Sequence, residues 1–312
     1  MLSLNAGGIR TFEMRKALFQ WSSKNKADVV FLQETYSSPD VENLWKTQWK
    51  GDLYFAHGSK HSRGVLILVK ERLNFELKSC THDKQGGYMI LMGNVQEQPF
   101  VLVNIYAPNK TCKQCIFFQE IQTELEGLNI EADCDIIIGG DFNVILDSKL
   151  DGLGGKPKLK ESVKILEQIR LSFDLHVIDI WRVKNPDERR FSWQQKNPVI
   201  QRRLDFWLIS SSLQEDVDNV DIIPVIKSDH SAMTLFINRI EDEPHGPSFW
   251  KFNASLIDDE TYVSRIRDNI ARGLSKVKKL KILEFCVTIL SIKFDKKRLP
   301  IVNSKLETGE EH

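Results

Sequence analysis

Cysteine is scarce in this chain: five in 312 residues, an odd number at irregular spacing, which excludes a disulfide framework. Cys112 and Cys115 form a C-x-x-C pair, but no second pair at zinc-site spacing follows, so an incidental reduced pair is expected there. Net charge is absent as well. Forty-three Lys and Arg balance 43 Asp and Glu, so bulk charge draws in neither nucleic acid nor a membrane, and any polyanion must be met by local patches or a metal. Long apolar runs are missing; the longest near the C-terminus, "FCVTILSI", is too short to span a bilayer. Arg10, Glu13, Arg15 and Lys16 break the first twenty residues, so no secretory segment is expected and a reducing intracellular compartment fits. No internal repeat is visible.

What remains is a composition suited to a folded core, 41% hydrophobic and 28% charged. Six short runs rich in β-branched and aromatic residues read as buried strands: 28–34, 64–70, 100–108, 135–143, 204–210 and 232–237. Helical spacing of apolar residues appears at 13–25 and 162–175. Strands mixed with helices through one long segment predict an α/β domain over 1–238. Residues 239–248, "RIEDEPHGPS", read as a linker, and 265–298 as a basic helical tail, better explained as a solvated helix than as a nucleic-acid contact.

The runs share one oddity: polar groups stand at their ends. "CDIIIGGDFNVIL" runs out of three isoleucines into Asp141 and Asn143. "FLQE" ends in Glu34, "LNAGG" carries Asn5, "VNIYAP" ends at Tyr106, "LDFWL" begins with Asp205, and "KSDHSA" sets Asp229 and His230 before the last run. Each has an ordinary explanation alone. Asp and Asn after glycine are turn residues, Glu34 would suit a helix N-terminus, an Asp-His pair is commonly a cap, and Tyr106 would simply pack. Taken together, and if the termini converge, four carboxylates, two amides, an imidazole and a phenol form a hard oxygen-rich cage. That chemistry suits magnesium or manganese, since crowded acids repel unless a cation lies among them. The set describes hydrolysis of a phosphate ester, with a metal, a carboxylate to align water and a cation opposite the developing oxyanion.

In order and spacing, "SLNAGGIR", "VVFLQET", "RGVLILV", "VNIYAPN", "IIGGDFNVIL", "RRFSW", "RRLDFWLIS" and "SDHSAM" resemble the endonuclease/exonuclease/phosphatase superfamily over about residues 2–238. That implies a four-layered α/β sandwich. "GGDFNVILDSKLDGLGGKPK" and "VIDIWRVKNPDERRFSW" are most similar to the endonuclease domain of LINE-type non-LTR retrotransposons, and 246–262 resembles the connector that follows it. The chain would then be the front of a larger polyprotein carrying a reverse transcriptase, with 239–312 opening a truncated downstream region. The resemblance implies a monomer that nicks double-stranded DNA, in a nucleus.

Carried over by motif, Asn5 and Glu34 would hold the metal with Asp229 in support. Asp141 would deprotonate the attacking water, and Asn143 would orient water and phosphate. Tyr106 would brace the phosphate, and His230, paired with Asp205, would stabilise the transition-state oxygens. Ser192 in "FSW" falls where the family places a small hydroxyl near the DNA backbone. Arg202 and Arg203, with Arg10, Lys60, Arg63, Lys84, Lys110 and Lys227, are expected as backbone contacts. The chain departs from the pattern at Gly7, where an Asp or Asn is usual, at Arg202, where Ser is common, and in the short lead from Met1 to Asn5. Three readings stay open: a DNA-nicking endonuclease, an abasic-site repair enzyme or phosphatase of the same superfamily, and a decayed nucleic-acid-binding module.

Overall fold

The β-branched runs assemble into two six-stranded sheets in a computed structural model. The first has the order β14 (Val217–Ile223), β15 (Ala232–Ile237), β1 (Leu2–Asn5), β2 (Val29–Gln33), β4 (Val65–Lys70), β3 (Gly51–Ala56). The second runs β10 (Val177–Asp179), β13 (Asp205–Ser210), β8 (Asp135–Asp141), β7 (Gln98–Tyr106), β6 (Tyr88–Val95), β5 (Phe75–His82). Each sheet is mixed, with one central parallel pair, β1 with β2 and β7 with β8. A small third sheet joins β11 (Trp193–Gln195), β12 (Ile200–Arg202) and β9 (Gly152–Leu153). All six expected strands are present: β15 matches its expected range, β7 starts two residues earlier and ends two earlier than expected, and the other four are trimmed by one or two residues. The edge strands β5 and β14 escape a search for apolar runs, because "FELKSCTH" and "VDNVDII" each expose one polar face.

Structure is described for 1–238 apart from 129, 131–132, 156–160, 173–176 and 226–227, and for 260–265 and 267–268, which are helical. Two units are compact, Met1–Glu241 and Asp242–His312. The expected linker at 239–248 and nearly all of the expected tail at 265–298 lie outside the described residues, as does Lys227.

Two-residue alternation makes the layers. Val29 and Phe31 of β2 face the second sheet, while Val30 and Leu32 face outward. Phe100 and Leu102 of β7 face the first sheet, with Val101 and Val103 outward. Helix α1 (Phe12–Lys24), through Leu18 and Phe19, and α2 (Glu42–Lys46), through Trp45, cover the first sheet's outer face. Helices α3 (Thr111–Gly127) and α4 (Glu161–Ser172) cover the second with Phe117, Phe118, Ile121, Leu166 and Ile169. The short α5 (Ile180–Lys184) adds Trp181 to the core between the sheets. The architecture is the four-layered α/β sandwich expected from the sequence.

One parity runs from core to surface. On the inward positions of the central strands, apolar residues give way to polar ones toward one end: Leu102 to Asn104 to Tyr106, Phe31 to Gln33, Ile137 to Gly139 to Asp141. Gly139 is glycine for a packing reason, since a Cβ there would lie 2.3 Å from the Trp207 ring that fills the space opposite. Above that ring the sheets are tied by a buried polar network. Asn104 Nδ2 donates to the carbonyls of Leu32 (3.1 Å) and Leu66 (3.0 Å), and Gln33 Nε2 donates to Asn104 Oδ1 (2.7 Å) and Ser3 Oγ (3.1 Å). Truncating Asn104 would leave buried acceptors unmatched, so Asn104→Ala is expected to cost about 2–4 kcal/mol in urea denaturation. A loss below about 1 kcal/mol would show that this network does not tie the sheets.

Candidate active site

At the polar end of the sandwich the inward parity delivers side chains from five strands or their exits. Asn5 closes β1, Glu34 follows β2, Tyr106 closes β7, Asp141 closes β8 and Asp205 opens β13. Glu34 and Asn143 both turn sharply out of line with positive φ, +50° and +51°. Such backbone is uncommon for residues other than glycine and marks turns the surrounding structure must enforce. Around Glu34 that enforcement is visible. Gly8 N–H donates to the Glu34 carbonyl (2.8 Å) and Thr35 N–H to the Gly64 carbonyl (3.0 Å).

The hydrogen bonds converge. Asn5 Nδ2 bridges Glu34 Oε1 (3.2 Å) and Asp141 Oδ2 (3.0 Å). Tyr106 donates to Glu34 Oε1 (2.5 Å), and Tyr36, a residue the sequence patterns do not single out, donates to Glu34 Oε2 (2.9 Å). Asn143 N–H donates to Asp141 Oδ1 (3.0 Å), while its Nδ2 donates to the Ala107 carbonyl (2.8 Å) and lies 3.4 Å from Asp141 Oδ2. Across the gap, His230 Nδ1 meets Asp205 Oδ2 at 2.8 Å, and His230 Nε2 stands 3.7 Å from Asp141 Oδ2. Asp229 Oδ2 accepts from the Trp193 indole (2.9 Å), and its charge acts on both Tyr36 and His230.

Two serines fasten the loops. Ser228 Oγ donates to the Asn5 carbonyl (2.9 Å) and accepts from His230 N–H (3.0 Å), joining the first strand to the histidine. Ser192 is buried. Its Oγ accepts from the backbone N–H groups of Leu204 (2.9 Å) and Asp205 (3.0 Å), and its carbonyl accepts from Ser231 N–H (2.6 Å). The expectation of Ser192 as a contact to the DNA backbone is therefore corrected; its hydroxyl holds Asp205 in place from within. Arg203 is corrected too. It is 1% exposed, with its guanidinium spread over Asp151 (2.8 and 3.2 Å) and Asp179 (3.1 and 2.7 Å). A strand-flanking arginine reads identically in sequence whether it faces solvent or two buried aspartates. Arg202 is partly exposed, but its Nη groups donate to the carbonyls of Gln201, Leu153 and Gly154, which closes the small sheet. Of the other expected cations, Arg10 is bound to the Tyr36 carbonyl, Ser38 and Asp40. Arg63 and Lys110 line a cavity of about 270 Å³ beside Tyr106, together with Lys113.

Burial and crowding set the protonation. Burial pushes Asp141 up to about 7, against the pull of His230, with Asp205 raising it further. Burial alone would depress His230, but Asp205 and then Asp141 outweigh it and hold the imidazole up at about 10. The Tyr106 phenol is raised by burial and by its bond to Glu34, and Tyr36 is raised to about 12 for the same reasons, so both are donors at neutral pH. Asp141, Asp205 and His230 lie close enough to hold a metal ion among the described residues. An imidazolium has no lone pair to give, however, so the donor set best suited to a hard cation is the other side: the oxygens of Glu34 and Asn5. Asn5 turns its NH₂ toward both carboxylates, a partial positive charge between two anions, while its Oδ1 accepts from Gly7 N–H (3.2 Å).

Known proteins resemble this chain in sequence and in fold. Residues 2–230 match the Endonuclease/Exonuclease/phosphatase family. The chain is 32% identical over 269 residues to the "Transposon TX1 uncharacterized 149 kDa protein" of Xenopus laevis, covering 85% of this chain but only 20% of that protein's length. It is 24% identical over 255 residues to an exodeoxyribonuclease of Bacillus subtilis, covering 76% of this chain and 99% of the relative. Among solved structures, AP endonuclease LMAP from Leishmania major superposes with a TM-score of 0.63 at 17% identity, over 76% of this chain and 86% of that one. An AP endonuclease from Archaeoglobus fulgidus gives 0.60 at 19%, over 76% and 98%.

Two measurements test the site's electrostatics. His230 is raised above its unfolded value of 6.5, so its pairing stabilises the fold fully below that pH, and the contribution fades as pH rises through about 10. In an NMR titration the His230 ring should stay protonated well past neutrality, and Asp205→Asn should move its midpoint downward; an unmoved midpoint would contradict the pairing. Arg203→Ala should cost about 3–5 kcal/mol of stability by stripping Asp179 of its arginine and leaving Asp151 with Arg182 alone. Weakened DNA binding in a fold of unchanged stability would contradict a structural role for Arg203.

Proposed function

The chain belongs to the endonuclease/exonuclease/phosphatase family, and within it we propose a metal-dependent DNA endonuclease that nicks target DNA for a LINE-type retrotransposon. The observation that carries the reading is one buried carboxylate, Asp141, within hydrogen-bonding reach of Asn5 and Asn143 and 3.7 Å from His230 Nε2, with Glu34 on the far side of Asn5. An oxygen-rich pocket facing an imidazolium suits a substrate whose charge grows in the transition state. A phosphodiester is such a substrate, and the named relatives include an exodeoxyribonuclease and AP endonucleases.

In this reading Glu34 and Asn5 would hold Mg²⁺ or Mn²⁺, which would supply charge neutralisation at the phosphate. Asp141 aligns a water and accepts its proton, and the oxygen adds to phosphorus. Asn143, fixed by its own bond to the Ala107 carbonyl, orients that water and a phosphate oxygen. His230 keeps its proton and stabilises the oxygens opposite, with Asp205 preventing its loss. The P–O3′ bond breaks and the leaving O3′ takes a proton from solvent, giving a 3′-hydroxyl and a 5′-phosphate. Tyr106 exchanges its bond to Glu34 for one to the phosphate. Arg63, Lys110 and Lys113 line the cavity beside Tyr106 and suit the flanking backbone.

We assign residues 1–238 as the nuclease and 239–312 as the start of a region continuing toward a reverse transcriptase. A chain that covers 20% of its transposon relative accords with that assignment. Work on chromosomal DNA would place the protein in the nucleus. No described helix is long and apolar enough to cross a membrane.

Purified protein with Mg²⁺ is expected to nick supercoiled plasmid. Asp141→Ala and His230→Ala should each lose at least about a hundredfold, in line with general-base and charge-stabilising terms. Unchanged nicking in both variants would reject the assignment. Plasmid, an abasic duplex and inositol phosphates assayed side by side separate the endonuclease from repair and phosphatase readings. DNA binding at full strength without metal-stimulated cleavage would indicate the decayed module.

A further inference from the structure

Tyr106 is not the sole phenol on Glu34, and the second one has a task the first cannot perform. Tyr36 leaves the loop after Glu34 with φ +55°, a conformation that is costly for an aromatic residue, by about 1–3 kcal/mol. The loop holds it there from several sides. Tyr36 N–H donates to the Arg63 carbonyl (2.9 Å), the Tyr36 carbonyl accepts from Arg10 Nη1 (3.1 Å), and the ring lies on Gly8, where a Cβ would come within 2.6 Å of ring carbon Cδ2. The glycine at position 8 thus makes the berth for the ring. All of this packing would be served equally by phenylalanine. The hydroxyl is what phenylalanine lacks, and it ends 2.9 Å from Glu34 Oε2.

A carboxylate offers about four lone-pair positions. On Glu34, Oε1 already accepts two donors, Tyr106 and Asn5, and Oε2 accepts one, Tyr36. Among the described residues, the position left open is on Oε2, beside the Tyr36 hydroxyl. Tyr106 must release Oε1 if it is to brace a phosphate, so during turnover Tyr36 is the phenol that stays on Glu34. We infer that Tyr36 is a positioning residue for the cation site: its hydroxyl fixes the rotation of the Glu34 carboxylate so that one lone pair of Oε2 is aimed at a divalent ion. This rests on the reading of Glu34 as a metal-holding residue. Groups that orient a ligand from behind typically change metal affinity by about 10- to 100-fold.

The test is Tyr36→Phe in the full chain, titrated with Mn²⁺ by calorimetry in the absence of DNA. The dissociation constant is expected to weaken by about tenfold. The metal-free melting temperature should hold, and nicking should recover to near the unsubstituted rate when Mn²⁺ is raised to saturation. Tyr106→Phe, measured in parallel, should do the reverse, losing rate at saturating ion with a smaller change in ion affinity. An ion affinity in Tyr36→Phe indistinguishable from the unsubstituted protein would overturn the inference while leaving the endonuclease reading intact. Absence of Mn²⁺ binding to the unsubstituted protein would overturn both.

Discussion

Negative charge crowded into low dielectric is the constraint on which the site turns. Asp141 and Asp205 are both buried at adjoining strand ends, paired directly across β8 and β13, and the charge of Asp205 makes the ionisation of Asp141 harder. One imidazole sits between them and answers both, which is why it is held as a cation far above its ordinary range. Glu34 adds a third carboxylate within reach of the same asparagine. A protein keeps such a grouping against its folding interest only when something else benefits, and a site for developing charge is the physical reason at hand.

The rest of the sandwich supports that grouping without touching it. Apolar parity stops two residues short of the site, where Gln33, Asn104 and Ser3 replace hydrophobic contacts by directed bonds. Ser192 and Ser228 then bind the loops carrying Asp205, His230 and Asn5 to one another. Directed bonds fix orientation as well as distance, which packing alone does less sharply.

Much of this could be read from the residues. Buried runs ending in Glu34, Tyr106 and Asp141 announced both the sheets and the end at which polar groups would gather, because a period of two and an abrupt change of polarity are local signals. Ser192, Arg203 and Tyr36 were not legible in the same way. What decides their roles is which way a side chain turns once distant strands have paired: Ser192 toward the backbone of Asp205, Arg203 toward two aspartates, Tyr36 back onto the residue two before it. The helix α3 gave little warning either, since its buried face includes Gln114 as well as phenylalanines.

In the proposed endonuclease Glu34 and Asn5, rather than the Asp205–His230 pair, form the cation side of the site. Anomalous diffraction from Mn²⁺-soaked crystals separates the two. A single strong peak is expected about 2.0–2.6 Å from a Glu34 oxygen, the range of hard cation–oxygen bonds, with His230 Nε2 outside coordination distance. A peak on His230 and Asp205, leaving Glu34 uncoordinated, would contradict this assignment.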